Sequence, residues 1–180
     1  MGLGPQEEKC MAENIISAAV NNLNRVELLI NSLDKEAYAD ASSGPYYSSV
    51  GGHIRHVLDI FTCTLAGFDT GIVDLTKRER GTSAETEPAE GLKYLENVKA
   101  GLNELKTFDM AHKVTVVDDI GGGFGKEEVA STIGAALCQA HSHATHHFAC
   151  IGYLLYSKGI TIPDAGFGYN PSTPKPKVST

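Results

Sequence analysis

The sequence has 180 residues, of which 42% are hydrophobic and 21% are charged, and its formal net charge is −7. This length and composition are typical of one globular domain that folds around its own apolar core. The acidic balance and the lack of a basic patch exclude the usual nucleic-acid-binding proteins and argue against an anionic membrane as a partner.

The cysteines and the first residues are informative about the compartment. Cys10, Cys63, Cys138 and Cys150 form no C-x-x-C pair. The segment MGLGPQEEKCMAENII lacks the cationic and apolar regions of a signal peptide, and no apolar run is long enough to span a bilayer. We therefore expect reduced thiols and a cytoplasmic protein without a membrane partner.

Three segments in the first part of the chain have the spacing of amphipathic helices, in which apolar residues recur every three or four positions. The first covers residues 6–34. The second begins after Ser48 or Ser49, either of which can cap it, and the third begins near Pro88, a favourable residue for a first helical turn. Residues 69–90, between the second and third helices, form a long polar connection.

The pattern changes before the last helix. Residues 113–119, KVTVVDD, are rich in β-branched side chains, and the glycines that follow indicate a turn and a short return strand near 127–130. Ser131 or Thr132 then caps a long fourth helix, which we expect to end near Gly159.

These elements predict an all-α protein: a four-helix bundle with a small β-hairpin insertion before the last helix. We predict that residues 1–165 form a single bundle domain and that residues 166–180, which are rich in glycine and proline, form an extended C-terminal tail. The first and third helices carry more apolar residues than one inner stripe needs. We therefore expect a homodimer, although a wide stripe can equally serve the bundle's own core.

Histidines are concentrated in the fourth helix, where HSHATHHF at 141–148 contains four of the seven in the chain. His143 and His147 have the i, i+4 spacing that puts two side chains on one face of a helix, and both fall on or beside its apolar stripe. Two inward-facing imidazoles can share one metal ion, but a hydrogen-bonded pair in the core explains the same pattern. His141 and His146 point away from the stripe.

A second histidine segment, SVGGHIRHVLDIF at 49–61, opens the second helix with His53 and His56. Two helices that each direct histidine inward can complete a three-histidine site for zinc, nickel, iron(II) or another divalent ion. Three protein ligands leave a coordination position for water or substrate, as in catalytic sites. Helical periodicity slightly favours His53 as the third ligand, but it does not decide between the two.

Together, the two histidine segments resemble those of the DinB-like superfamily, whose members are four-helix metal-binding proteins. The resemblance rests on Ser49, followed seven residues later by His56 and the residues VLD, and on HATHH at 143–147. It extends over nearly the whole chain and includes a strand-like passage before the fourth helix. It implies a DinB-like bundle in which His56, His143 and His147 bind a divalent metal ion.

The resemblance also implies a class of function. Characterised members of the superfamily include thiol-dependent S-transferases and a mycothiol-dependent maleylpyruvate isomerase, and others bind metal with no known reaction. We therefore expect a metal-dependent enzyme that acts on a small-molecule substrate and binds a low-molecular-weight thiol as thiolate. A metal-dependent hydrolase, a metal-binding protein without catalysis and a structural dimer with a polar histidine core remain open.

Three further side chains are candidates for the surroundings of the metal. Asp59 follows His56 by three residues and can orient its imidazole, unless it faces water. His53 lies one turn before His56 and can line the mouth of the site. Cys150 shares the helix face of His147 and can act as a soft ligand, but a free cysteine is more often a small core residue.

The segment KRER at 77–80 is a candidate for binding an anionic group of the substrate through Arg78 and Arg80. However, a run of charges of this kind is more typical of a solvated loop. The sequence does not assign a role to either arginine.

Overall fold

The protein is described by a computed structural model over residues 4–174. Residues 1–3 and 175–180 lie outside the described residues, and with them the end of the predicted C-terminal tail. The described part of the chain contains five α-helices, in chain order α1 (Pro5–Ser32), α2 (Lys35–Ala39), α3 (Val50–Thr70), α4 (Pro88–Glu104) and α5 (Ile133–Ser157). The long helices α1 and α3 each pack against both α4 and α5 and so form the predicted four-helix bundle. Within residues 4–174, none of the helices combines the length and apolarity that crossing a bilayer requires.

A hydroxyl cap fixes the start of each helix that carries the predicted metal ligands. Ser49 Oγ accepts a hydrogen bond from the backbone N–H of Gly52 at 2.9 Å, and Thr132 Oγ1 accepts one from that of Ala135 at 3.2 Å. Each bond satisfies an N–H group that the first helical turn leaves without a partner. Ser49 and Thr132 are therefore the caps of α3 and α5, and they set the residue at which each helix begins.

The β-structure is larger than the predicted hairpin. It is a three-stranded sheet of β1 (Ile72–Asp74), β2 (Lys113–Asp119) and β3 (Lys126–Thr132), in the order β1-β2-β3. The predicted antiparallel hairpin of β2 and β3 is confirmed. The prediction missed β1, which pairs in parallel with β2 and lies in the connection predicted as a polar loop. A strand of three residues is too short to show a period in the sequence, and its position depends on a partner distant in the chain.

The hydrophobic core lies between the long helices and includes a residue from beyond position 165. Phe61 of α3 and Phe148 of α5 are almost fully buried. Phe167, in the predicted tail, is also buried and stacks on Phe148 with 5.0 Å between the ring centroids. The first residues of the tail therefore contribute to the fold, and the domain boundary at residue 165 remains a prediction.

The apolar surplus of α4, one of the two helices that suggested a homodimer, is used within the bundle. The apolar residues of this helix and its C-terminal cap lie in the core or pack against it: Leu92, Leu95, Val98, Leu102 and Leu105. On α1, the exposed large apolar residue is Leu28. The wide stripe of α4 thus serves the bundle's own core, and the homodimer remains a prediction.

Candidate metal centre

The candidate ligands come from two neighbouring helices. His56 lies on α3, and His143 and His147 lie on α5, which packs along α3. The i, i+4 spacing of the two histidines on α5 directs both side chains to the same face. His56 lies seven residues after the Ser49 cap of α3 and meets them from the opposite side.

The three imidazoles converge closely enough to share one ion. The Nε2 atoms of His56 and His143 lie 2.8 Å apart. The ring centroid of His147 lies 4.6 Å from the ring centroid of His56 and 4.5 Å from the ring centroid of His143. One ring nitrogen from each of the three residues lies within 4.8 Å of the others.

His53 joins the same group of rings through a different contact. Its Nδ1 lies 2.9 Å from the Nδ1 of His147, with 5.2 Å between the ring centroids. His53 and His56 are thus both directed towards α5, which explains why periodicity alone did not separate them. We refer below to His53, His56, His143 and His147 as the histidine cluster.

Burial lowers the pKa of each histidine in the cluster. The pKa of His56 falls to about 4 and that of His147 to about 3, because burial penalises the charged form and because nearby rings, first His143, would add like charge. Burial likewise lowers the pKa of His53 and of His143. At neutral pH the imidazoles are therefore uncharged, which is the form that binds a metal ion.

The architecture around this cluster matches a known fold. The chain is similar in structure to a DinB-like protein from Bacillus subtilis, YjoA, with a TM-score of 0.61 over 84% of this chain and 96% of that chain, at 19% sequence identity. The protein has a DinB-like fold. Comparisons with protein-family models and with curated proteins give no match. At this level of identity the similarity concerns the DinB-like fold alone.

Within the DinB-like bundle, Asp59 contacts residues other than His56. It is buried, and its carboxylate accepts hydrogen bonds from Arg55 Nη1 at 2.7 Å and from the Tyr94 hydroxyl at 3.0 Å. Three residues along an α-helix change the direction of a side chain by about 60°, which turns Asp59 towards Tyr94 of α4. Asp59 therefore neither faces water nor touches the imidazole that it was expected to orient.

Cys150 lies outside the group of converging nitrogens. Its side chain is half-buried, and its Sγ lies 3.9 Å from the Nε2 of the exposed His146. Within the described residues, the histidine, cysteine and acidic side chains that converge for a metal ion are His56, His143 and His147. The thiol is thus a neighbour of the site, one turn further along α5.

Arg78 contacts the site, although the sequence favoured a solvated loop for the segment that contains it. Its Nη1 lies 3.2 Å from the Nδ1 of His56. A guanidinium group only donates hydrogen bonds, so His56 Nδ1 is the acceptor. The one sequence signal that could have indicated this contact is the alternation of the two arginines in KRER at 77–80.

A cleft of about 420 Å³ opens beside the histidine cluster of this DinB-like bundle. His53, His56 and His147 line one part of it, and Arg78 and Arg80 line another. Its volume falls in the range of about 300–1,000 Å³ that is usual for small-ligand sites. The arrangement brings three neutral imidazoles and three arginine side chains, the third being that of Arg55, to the same accessible space.

Proposed function

We propose that His56, His143 and His147 bind one divalent metal ion. The observation that carries the proposal is the convergence of one nitrogen from each residue within 4.8 Å. Nitrogen ligands of a tetrahedral zinc ion lie about 3.3 Å apart, so the 2.8 Å between His56 and His143 calls for only a small side-chain adjustment. Neutral imidazoles suit zinc, nickel or iron(II).

His53 supports this site through His147. When His147 Nδ1–H donates to His53 Nδ1, the proton is fixed on Nδ1 and the lone pair of His147 Nε2 is available for the ion. Second-layer partners of this kind commonly orient metal-binding histidines. We therefore assign His53 a positioning role and not that of a ligand.

We further propose that the protein is a metal-dependent enzyme that acts on a small molecule together with a low-molecular-weight thiol. Three protein ligands leave a coordination position available, and the cleft beside His56 and His147 gives a small molecule access to it. A bound divalent cation stabilises thiolate over thiol and so supplies a nucleophile at neutral pH. A cytoplasmic homodimer belongs to the same proposal.

Cobalt substitution tests the thiol part of this proposal directly. Adding a small thiol to the cobalt-loaded protein should produce a sulfur-to-metal charge-transfer band, and His147→Ala should lack it. His146→Ala, the same change at an exposed position of the same helix, is the matched control and should keep the band. If no biological thiol changes the spectrum of a protein that holds cobalt, the thiol-dependent reaction is wrong and a hydrolase or a non-catalytic metal binder becomes the better account.

A further inference from the structure

Residues 77–80 divide their four charges between two sides of the chain. Lys77 and Glu79 line a cavity bordered by α3 and α4, whereas Arg78 and Arg80 line the cleft beside the histidine cluster. The four residues form neither a helix nor a strand, and their side chains reach the two cavities in turn. The alternation in KRER therefore puts both arginines, and neither of the other two charges, on the side of the histidines.

Of the three arginines that line the cleft, Arg78 and Arg80 are not neutralised by carboxylates. Within residues 4–174, neither Arg78 nor Arg80 forms a salt bridge. The side-chain contact of Arg78 is the one to His56 Nδ1 at 3.2 Å. A guanidinium has five N–H donors, so this bond leaves most of the hydrogen-bonding capacity of Arg78 for a ligand.

Arg55, which also lines the cleft, shows the contrasting case of an arginine with a structural role. Its Nη1 lies 2.7 Å from Asp59 Oδ2, its Nε lies 2.9 Å from Glu85 Oε1, and its side chain is only 11% exposed. Glu85 is the acidic residue that lines the cleft, and Arg55 already pairs with it. The charges of Arg78 and Arg80 thus leave the cleft locally cationic in a protein whose net charge is −7.

We infer that Arg78 and Arg80 bind an anionic oxygen group, a carboxylate or a phosphate, of the molecule that occupies the cleft. The planar guanidinium fork matches both groups. The contact between Arg78 and His56 puts the anion subsite directly beside the candidate metal ligands. The inference deepens the proposed function and rests on it, because it specifies the class of substrate for the same site.

The contact with His56 also connects the anion subsite to metal binding. In the structure, His56 Nδ1 accepts from Arg78, so the proton of the neutral ring lies on Nε2. When His56 offers the lone pair of Nε2 to a metal ion, its proton moves to Nδ1, which can no longer accept from Arg78. Arg78 is then released towards the anion, so metal should strengthen anion binding.

A matched pair of thiols measures the preference for an anion on the cobalt-loaded protein. We expect 3-mercaptopropionate to bind at least about tenfold more tightly than 3-mercaptopropanol, because its carboxylate can accept charge-assisted hydrogen bonds that a neutral hydroxyl cannot. Arg78→Gln should remove most of this preference. Lys77→Gln removes the same charge from the same loop but faces the other cavity, and it should retain the preference. Equal binding of the two thiols by the unchanged protein, or equal loss in the two variants, would overturn the inference.

A second measurement does not depend on thiol chemistry. Acetate, inorganic phosphate and the neutral acetamide are titrated into zinc-loaded and metal-free protein while the side-chain N–H resonances of Arg78 and Arg80 are followed by NMR. Resonance shifts on adding acetate would indicate a carboxylate subsite, and shifts on adding phosphate would indicate a phosphate subsite. The neutral acetamide should have no effect. If the resonances move while the cobalt protein gives no thiolate band, the thiol reaction fails and the anion subsite stands. If neither anion shifts the resonances, the anion subsite is wrong, whether or not the protein binds a metal ion.

Discussion

The Nε2 atoms of His56 and His143 lie 2.8 Å apart, although the two residues are separated by 87 positions in the chain. Two lone pairs of neutral imidazoles at this distance repel each other unless a proton or a cation lies between them. In the protein without metal, one ring must donate its N–H to the other. A divalent ion held by the two residues would remove the need for that proton and would satisfy both lone pairs, so the pair is suited to metal binding.

Removing one candidate ligand should reduce metal content. Protein zinc sites have apparent binding free energies of about 10–16 kcal/mol, so we expect His143→Ala to weaken binding by an amount on the order of 4 kcal/mol. Elemental analysis after dialysis against a weak chelator measures the occupancy, with His146→Ala as the control on the same helix. Full occupancy in both His143→Ala and His147→Ala would show that the ion binds elsewhere.

His53→Ala and His56→Ala should differ in a characteristic way. His56→Ala should lose most of the metal, because it removes a ligand. His53→Ala should keep the three ligands but lower the metal affinity by about 10–100-fold, as expected for a residue that orients a ligand. Competition with a chromophoric chelator gives both affinities. A larger loss of metal affinity in His53→Ala than in His56→Ala would show that His53 is the third ligand, as helical periodicity slightly favoured.

The metal-free protein should become less stable as the pH falls below about 6.5. The pKa of His56 is lowered from 6.5 to about 4 and that of His147 to about 3, so between these values the unfolded chain binds more protons than the folded protein. The free energy of unfolding therefore decreases as pH falls through this window and is highest above it. Urea midpoints between about pH 7.5 and 4.5 test this.

Two variants identify the source of that pH dependence. His56→Gln removes one titrating ring and should flatten the profile, whereas His112→Gln changes an exposed histidine outside the cluster and should leave it unchanged. If the free energy of unfolding depends on pH as steeply in His56→Gln as in the unchanged protein, His56 does not contribute to the pH dependence.

Gly51 of α3 should not tolerate a side chain. A Cβ at this position would lie 2.2 Å from the backbone oxygen of Glu85 and 2.5 Å from Tyr38 Cε1. We expect Gly51→Ala to destabilise the fold by about 1–3 kcal/mol, as overpacking usually does. Gly152→Ala in α5, where the nearest atom is 3.7 Å away, should instead gain about 0.5–1 kcal/mol from helix propensity. Thermal unfolding of the two variants compares them, and a neutral Gly51→Ala would contradict the close approach.

The protein should sediment as a homodimer at micromolar concentration. The helix α5 exposes Tyr153 and Tyr156, whose side chains are 79% and 84% accessible, and tyrosine is enriched at protein interfaces. Sedimentation velocity over a range of concentrations measures the mass. A monomer throughout that range would rule out the homodimer, and the metal site would be unaffected because both helices belong to one chain.

The sequence by itself determined the four long helices and narrowed the caps of α3 and α5 to two neighbouring residues each, but it did not predict the short helix α2. Apolar periodicity, the Ser49 cap and the Thr132 cap are local properties, because a hydroxyl three residues before an N–H group acts within one turn. The pairing of His143 with His147 is equally local, since a helix puts residues four apart on one face whatever surrounds it. The bundle and two of the three candidate ligands could therefore be predicted from local spacing.

The tertiary structure decided what depends on distant residues. β1 exists because β2 offers a parallel partner across the chain. The packing of α3 on α5 sets the separate contacts of His53 and His56, and the packing of α3 against α4 turns Asp59 to Tyr94. Arg78 reaches His56 only because β1 turns the chain back past α3. Contacts of this kind follow from how whole elements pack together, and no spacing within one element encodes them.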